Sequence, residues 1–186
     1  MQRDIDRILI DRDSIADRVD QLGQALVGDL AGVADAGKLV VMPVMTGSLF
    51  FAADLVRQLP LSFRILPVTV SSYPGTSVNS QGIQRASELP DGLKGRTVLL
   101  VDDIFDSGGT LDYLTRVLTD TGVANIVTCV LLRKDVPRVG PCPIEERHVG
   151  FDIPDAFVVG YGLDYDGLYR NLPDIATLRE EVIGRR

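Results

Sequence analysis

The sequence predicts an α/β domain built on a mainly parallel sheet with helices on its faces. Residues 39–44 and 97–101 are continuous apolar runs, as is typical of parallel strands buried on both sides. Each run is followed by a segment in which apolar residues recur at helical spacing. Strands that alternate with helices of this length indicate βαβ units, and these units arrange their strands in parallel.

The remaining elements follow the same alternation. Segments rich in apolar or β-branched residues predict strands at residues 5–10, 39–44, 63–70, 97–101, 125–132 and 157–159. Helical spacing predicts a long helix from the N-cap Asp13-Ser14 to about Asp35, a second that starts after residues 46–48 and ends before Pro60, and a third that ends at Gly122. Residues 71–84 are polar and rich in Ser, Gly and Asn, which predicts a mobile loop.

Length and charge exclude several classes of protein. A chain of 186 residues without repeats or a linker is expected to form one domain, with the last third as a subregion packed on the core. The net charge of −7 argues against binding to nucleic acid or to an anionic membrane. There is no apolar run of membrane-spanning length and no signal-peptide pattern, so a cytoplasmic protein is expected. Two cysteines without CxxC spacing and one histidine, His148, argue against zinc sites and disulfide frameworks.

Polar residues collect where the predicted parallel strands end. Ligands of open parallel sheets bind beyond the carboxyl ends of the strands. The segments at those ends are residues 45–48, 71–73, 102–110 and 133–134. Their hydroxyls, glycines, carboxylates and cations are therefore expected to meet at one edge of the sheet.

The segment Asp-Ser-Gly-Gly-Thr at residues 106–110 is the richest of these. Two glycines let backbone N–H groups converge, Ser107 and Thr110 add hydroxyl donors, and the following helix contributes its positive end. This combination suits a phosphate, although neither GxxxxGK[ST] nor GxGxxG is present. Taken alone, the segment is equally compatible with a well-capped helix after a tight turn.

Two acids precede that segment, and a third begins it. Asp102 and Asp103 are adjacent in a strand, so their side chains point to opposite sides. One carboxylate can face a ligand hydroxyl or a hydrated Mg²⁺ while the other holds the loop. Asp106 follows one turn later, where it can serve as a general base.

These motifs resemble those of a known family. Residues 98–110, with four apolar residues, two acids and then Asp-Ser-Gly-Gly-Thr, resemble the phosphoribosyl pyrophosphate motif of type I phosphoribosyltransferases. The remainder is similar to the hypoxanthine-guanine branch: residues 46–55 to its pyrophosphate loop and following helix, 71–73 to the opening of its flexible loop, and 149–165 with 169–173 to its purine-binding region. The motifs occur in order from about residue 5 to 175.

The resemblance implies a fold and an activity. The fold is the type I phosphoribosyltransferase fold, a twisted, mainly parallel sheet flanked by helices, as a single domain over residues 1–186 with a small hood made by the N-terminal strand and residues from about 137 to 186. The activity is that of a purine-salvage glycosyltransferase: it transfers the 5-phosphoribosyl group from phosphoribosyl pyrophosphate to N9 of hypoxanthine or guanine, giving IMP or GMP and pyrophosphate. Mg²⁺ is the implied cofactor, and a homodimer or homotetramer is the implied assembly.

The resemblance also assigns roles to individual residues. The implied phosphoribosyl pyrophosphate contacts are Asp102, Asp103, Asp106, Ser107, Gly108, Gly109 and Thr110, with Asp106 as the catalytic residue that handles the proton on purine N7. The implied pyrophosphate contacts are Thr46, Gly47 and Arg170. The implied purine contacts are Lys134 to the 6-oxo group, Phe157 by stacking, Val158 through its backbone, and Asp164. The implied metal residues are Asp102, Asp103 and Asp164, and Ser72 and Tyr73 open the flexible loop.

The sequence departs from the family pattern at three places. Thr46 stands where the family often has Lys or Arg, and Gly109 stands where several relatives have a larger residue. Pro74-Gly75 lies in the predicted flexible loop. The alternatives are a xanthine-preferring phosphoribosyltransferase, a non-catalytic RNA-binding regulator on the same fold, and a phospho-acceptor signalling domain, which also places paired acids at a strand end.

Overall fold

The computed structural model describes residues 1–73, 83–137 and 146–183. Its strands are β1 (Ile5–Ile10), β2 (Leu39–Met45), β3 (Arg64–Ile65), β4 (Val68–Tyr73), β5 (Ile83–Ala86), β6 (Thr97–Phe105), β7 (Asn125–Lys134), β8 (Val149–Ile153), β9 (Val158–Val159) and β10 (Ile175–Leu178). Its α-helices are α1 (Arg12–Asp35), α2 (Leu49–Arg57), α3 (Gly109–Asp120) and α4 (Glu180–Ile183). Two single 3₁₀ turns occupy Gln2–Asp4 and Glu146–His148.

A seven-stranded sheet forms the centre of the molecule, in the order β5-β4-β2-β6-β7-β8, with β3 also paired to β2. All neighbouring strands in it are parallel except β4 and β5, which form an antiparallel pair. The predicted mainly parallel sheet is therefore confirmed. In the part of the chain that the structure describes, no helix is long and apolar enough to cross a membrane.

Helices cover both faces of this sheet, which explains the continuous apolar strands. Successive strand residues point to opposite faces, so each needs a partner on its own side. Leu99 packs into a core with α1 and α2, whereas the next residue, Leu100, packs into a second core with Leu114 of α3. Leu99, Leu100 and Leu114 are fully buried.

A second, three-stranded antiparallel sheet has the order β1-β10-β9. Ile5 of β1 pairs with Leu178, and Thr177 pairs with Val158 of β9. Strand β9, which directly follows Phe157, is thus paired with β10, and β10 is paired with β1. However, β8 joins the edge of the large sheet rather than this small one, so the expected subregion from about residue 137 onward contains one strand of the core sheet.

Three boundaries differ from the sequence prediction. Strand β6 continues through the acid pair to Phe105, because the backbone ladder with β7 continues there whatever the side chains are. The N-cap of α1 is Asp11, whose carboxylate accepts a hydrogen bond from the Ser14 N–H at 2.8 Å; Asp13 and Ser14 lie inside the first turn. The predicted strand at 63–70 is split into β3 and β4, which pair with different segments of β2.

The predicted loop at residues 71–84 is also partly strand. Ser71 pairs with Arg85, and Tyr73 pairs with Ile83, so the polar segment begins and ends as an antiparallel hairpin. Polar residues are tolerated there because the hairpin lies at the edge of the sheet. Pro74 and Gly75 lie outside the described residues.

We expect the packing on both faces of β6 to be essential for stability. Leu99→Ala and Leu100→Ala should each lower the free energy of unfolding by about 2–5 kcal/mol, because each leaves a cavity in a different core. Urea denaturation measures both values. Leu168→Ala, at an exposed position, is the matched control and should change stability by less than about 0.5 kcal/mol. A large loss at only one of the two strand positions would contradict the two-faced architecture.

Candidate active site

The loop after β6 and the start of α3 enclose a cavity of about 140 Å³, lined by Asp102, Ile104, Phe105, Asp106, Ser107, Gly108, Gly109, Thr110 and Leu111. Gly108 is the N-cap of α3 and has a left-handed φ of 91°, which glycine adopts without steric cost. A Cβ there would also come within 2.9 Å of the Phe105 ring. Gly108 supplies no side-chain cap, so the positive N-terminal end of α3 borders the cavity directly.

The adjacent acids Asp102 and Asp103 lie near the end of β6, next to this cavity. Asp102 is 5% exposed, and its Oδ1 accepts a hydrogen bond from the Asp103 N–H at 3.0 Å. Burial raises the pKa of Asp102 well above its ordinary value, and the neighbouring Asp103 carboxylate raises it further. Burial also raises the pKa of Asp103, against hydrogen bonds and an Arg170 charge that lower it. The pair therefore favours an approaching cation.

The turn after β2 packs directly on this acid pair. Gly47 touches the Asp103 carboxylate so closely that a Cβ at Gly47 would overlap it. A Cβ at Gly162 would in turn overlap the Gly47 carbonyl. The Met45–Thr46 peptide bond is cis, and the Thr46 side chain is exposed. Two backbone turns and one carboxylate are thus stacked without an intervening side chain.

Arg170 links this stack to Asp164. Its Nη1 donates to the Gly162 carbonyl at 2.6 Å, and its Nη2 lies 2.7 Å from Asp164 Oδ1. Asp164 Oδ2 also accepts a hydrogen bond from the Gly167 N–H at 2.7 Å. Arg170 is the cation whose charge acts on Asp103.

Lys134 lies at the end of β7, on the other side of β6 from the β2 turn in the strand order. Its Nζ is 3.4 Å from Asp106 Oδ2 and 3.3 Å from Asp155 Oδ1. The lysine side chain is 13% exposed, whereas both carboxylates are mostly exposed. The Lys134 cation, the potential base Asp106 and the second carboxylate Asp155 therefore lie close together. They lie beside residues 106–110, which form the phosphate-type loop.

Phe157 presents an aromatic face in the segment between β8 and β9. It is 47% exposed and packs edge-on against Tyr165, with ring centroids 5.5 Å apart. The next residue, Val158, is buried in the small sheet. The exposed ring is thereby fixed in position by its neighbours and remains open to a flat ligand.

Comparison with known proteins assigns this arrangement to a family. Residues 10–166 match the family model described as the phosphoribosyl transferase domain. The hypoxanthine-guanine phosphoribosyltransferase of Mycobacterium bovis is 40% identical over 182 residues, which are 96% of this chain and 89% of that protein. The Bacillus subtilis enzyme of the same name is 37% identical, with 98% of each chain covered. The chain belongs to the hypoxanthine-guanine phosphoribosyltransferase family.

Solved structures agree. A hypoxanthine phosphoribosyltransferase from Staphylococcus aureus has a TM-score of 0.87 at 36% identity, covering 98% of this chain and 96% of that one. A point mutant of the Trypanosoma cruzi hypoxanthine phosphoribosyltransferase, a ternary substrates complex, also has a TM-score of 0.87 at 36% identity, with 97% and 99% covered. The family resemblance and the type I phosphoribosyltransferase fold are confirmed, and the chain is a member of a transferase family.

The structure of this phosphoribosyltransferase brings most of the expected site residues together. One group surrounds the β6 end: Asp102, Asp103, Asp106, Ser107, Gly108, Gly109, Thr110, Gly47 and Lys134. Asp164 and Arg170 are paired with each other, so residues implied for the metal and for pyrophosphate share one ion pair. Ser72 and Tyr73 form the end of β4, and their side chains lie outside the described residues.

Two members of the site were given no individual role by the sequence, although both lie in residues 149–165, which resemble the family's purine-binding region. Asp155 follows β8 by two residues, so the rule that polar residues collect at strand ends would have identified it had β8 been predicted. Gly162 gives no sequence signal, because only the fold shows that the turn after β2 approaches it.

Removal of the Asp102 charge should stabilise this phosphoribosyltransferase in the absence of metal. A raised carboxyl pKa means that the folded state holds the proton more tightly, so stability falls as pH rises above the unfolded value of 3.8. Asp102→Asn keeps the acceptor oxygen, and near neutral pH we expect a gain of about 1 kcal/mol, or a Tm about 2–4 °C higher.

Thermal unfolding at several pH values tests this expectation. The gain should shrink as the pH falls toward 4, where Asp102 is protonated in the wild type. Asp91→Asn, at an exposed loop position, is the control and should leave the Tm unchanged. A Tm for Asp102→Asn at or below the wild-type value near neutral pH would contradict the argument.

Proposed function

We propose that the chain transfers the 5-phosphoribosyl group from phosphoribosyl pyrophosphate to N9 of hypoxanthine or guanine, giving IMP or GMP and pyrophosphate. One observation carries the proposal: Lys134 lies 3.4 Å from Asp106, which opens the phosphate-type loop. A cation suited to a purine oxygen thus lies beside a loop suited to a sugar phosphate. The carboxylate between them is placed to handle a proton.

The sugar phosphate belongs at the N-terminus of α3. The positive end of a twelve-residue helix and the glycine-rich backbone before it suit a dianionic 5′-phosphate. Ser107 and Thr110 add hydroxyl donors from the same loop. The cavity of about 140 Å³ is large enough for the phosphate group. The ribose is proposed to extend from it toward Asp102 and Asp103.

The purine belongs between Lys134 and Phe157. An ammonium has three donors and no acceptor, so Lys134 favours a 6-oxo group over the 6-amino group of adenine. The exposed Phe157 ring supplies a stacking surface, and stacking of a base on an aromatic ring contributes about 1–3 kcal/mol. Val158 is proposed to meet the ring edge through its backbone. Asp106, beside Lys134, is proposed to accept the N7 proton as the bond to N9 forms and to release it to solvent afterwards.

The acid pair fits Mg²⁺ that arrives with the substrate. The described residues contain no cluster of three His, Cys, Asp or Glu side chains able to hold a metal by themselves. Mg²⁺ commonly uses one or two carboxylates and completes its shell with water and substrate phosphates, which suits Asp102 and Asp103. When bound, Mg²⁺ neutralises the charge that develops on the pyrophosphate leaving group. Asp164 is proposed as a further metal residue, working together with its ion-pair partner Arg170.

The pyrophosphate is proposed to bind at Thr46 and Gly47 through backbone N–H groups. Thr46 brings no cation to this loop, although relatives often have one there. Arg170 compensates, because its guanidinium lies on the Gly162 turn that packs against Gly47. Arg170 suits a phosphate oxygen through its planar set of donors.

The remaining assignments follow from the family resemblance and stay proposals. They are a single domain over residues 1–186, a hood that packs on the large sheet, a cytoplasmic location, and assembly into a homodimer or homotetramer. Ser72 and Tyr73 are proposed to open the loop that excludes water from the reacting sugar, and residues 74–82 lie outside the described residues.

A turnover assay tests the function. The purified protein is given phosphoribosyl pyrophosphate with hypoxanthine, guanine, xanthine or adenine, with Mg²⁺ or with EDTA, and nucleotide formation is followed. We expect IMP and GMP to form only with Mg²⁺, and no AMP. Faster turnover of xanthine would favour the xanthine-preferring alternative. If none of the 6-oxopurines reacts, the proposal is wrong and a non-catalytic role on the same fold becomes the better explanation.

Asp106→Asn should lower kcat by about 100-fold or more, the usual effect of removing a general base. Asp112→Asn is the matched control, because Asp112 lies on α3 next to the same loop and pairs with Arg116 instead of with Lys134. Steady-state kinetics with hypoxanthine and a thermal unfolding curve measure activity and folding separately. A kcat for Asp106→Asn within about threefold of the wild-type value would show that Asp106 is not the general base.

A further inference from the structure

Lys134 is shared by two carboxylates that come from different strand ends. Asp106 follows β6 and Asp155 follows β8, and β7, which carries Lys134, lies between these strands in the sheet. The Nζ is 3.4 Å from Asp106 Oδ2 and 3.3 Å from Asp155 Oδ1. The ammonium therefore makes two nearly equal contacts and keeps one donor for a third group.

When a purine binds, only one of these two carboxylates can keep its contact with Lys134. In the proposed reaction Asp106 must turn its carboxylate to the purine N7, which ends or weakens its contact with Lys134. A lysine has a long flexible side chain, so an ammonium with no other partner follows the departing carboxylate or loses its position. Asp155 has no task at N7 and can keep its contact while Lys134 meets the 6-oxo group.

We propose that Asp155 is a positioning residue that holds Lys134 toward the 6-oxo group of the purine and so releases Asp106 for proton transfer. The inference rests on the proposed function and deepens it. It explains why a mostly exposed carboxylate, 70% accessible, is aimed at a lysine that is only 13% accessible. Asp155 acts through Lys134 and makes no contact of its own with the purine.

The exposure of Asp155 makes the inference testable without loss of folding. Asp155→Asn removes the charge at an exposed position, and Lys134 keeps Asp106 as a partner, so no buried charge is left alone. Asp135→Asn is the matched control. Asp135 is also exposed and directly follows Lys134, yet its carboxylate forms no ion pair among the described residues.

The steady-state experiment compares these variants with hypoxanthine and phosphoribosyl pyrophosphate as varied substrates. For Asp155→Asn we expect the KM for hypoxanthine to rise about fivefold, the scale of one partly exposed ion pair, with the KM for phosphoribosyl pyrophosphate within about twofold. Asp135→Asn should match wild type, and Asp155→Glu should recover most of the loss. Equal changes in both KM values, or equal effects of Asp155→Asn and Asp135→Asn, would overturn the inference.

A binding experiment supplies a readout that a purely structural role would not change. Calorimetry compares IMP with purine riboside 5′-monophosphate, which lacks the 6-oxo group. Asp155→Asn should weaken IMP about fivefold and leave the second nucleotide unchanged, and its effect on IMP should disappear in a Lys134→Ala background. Equal weakening of both nucleotides, or an undiminished effect without Lys134, would overturn the inference.

The two proposals fail in different ways. An active wild-type enzyme whose Asp155→Asn variant binds IMP normally would refute the positioning role and leave the function standing. A wild-type protein that neither turns over a 6-oxopurine nor binds IMP would refute both.

Discussion

The site depends on two carboxylates held at the end of a strand that is otherwise apolar. The parallel ladder of β6 and β7 fixes the positions of Asp102 and Asp103 at the border of the core, and their burial makes their charge costly. Gly47, the phosphate-type loop and Arg170 are all arranged around this pair. A net charge of −7 is therefore compatible with the proposed binding of polyanions, because the proposed Mg²⁺ would join the carboxylates to the phosphates.

The parts of the fold that repeat a simple pattern could be predicted from the sequence. The strands at the centre could be predicted from continuous apolar runs, because burial on both faces favours apolar residues at most positions. The helices beside them could be predicted from apolar residues at helical spacing. The segment at residues 106–110 was recognisable since its glycines, hydroxyls and acids lie together in the chain. Pairing at sheet edges was less accessible: β5 and the end of β4 are polar, and only their mutual backbone hydrogen bonds make them strands.

The partners of individual side chains could not be predicted from the sequence. Asp155 and Lys134 are 21 residues apart, and their proximity follows from the parallel pairing of β7 with β8. Asp164 and Arg170 were assigned to different ligands, whereas the turn at Gly167 brings them into one ion pair. In each case the residue type was visible in the sequence, and the partner was set by topology.

The contact between Gly47 and Gly162 limits how this site can diverge. A side chain at position 162 would meet the carbonyl oxygen of Gly47, and no second mutation can shorten a backbone carbonyl. A side chain at position 47 would meet the Asp103 carboxylate, and shortening Asp103 would remove the acid itself. A side chain at either position would therefore require the neighbouring turn or the Asp103 carboxylate to shift, so the close approach of the two turns depends on glycine at both positions.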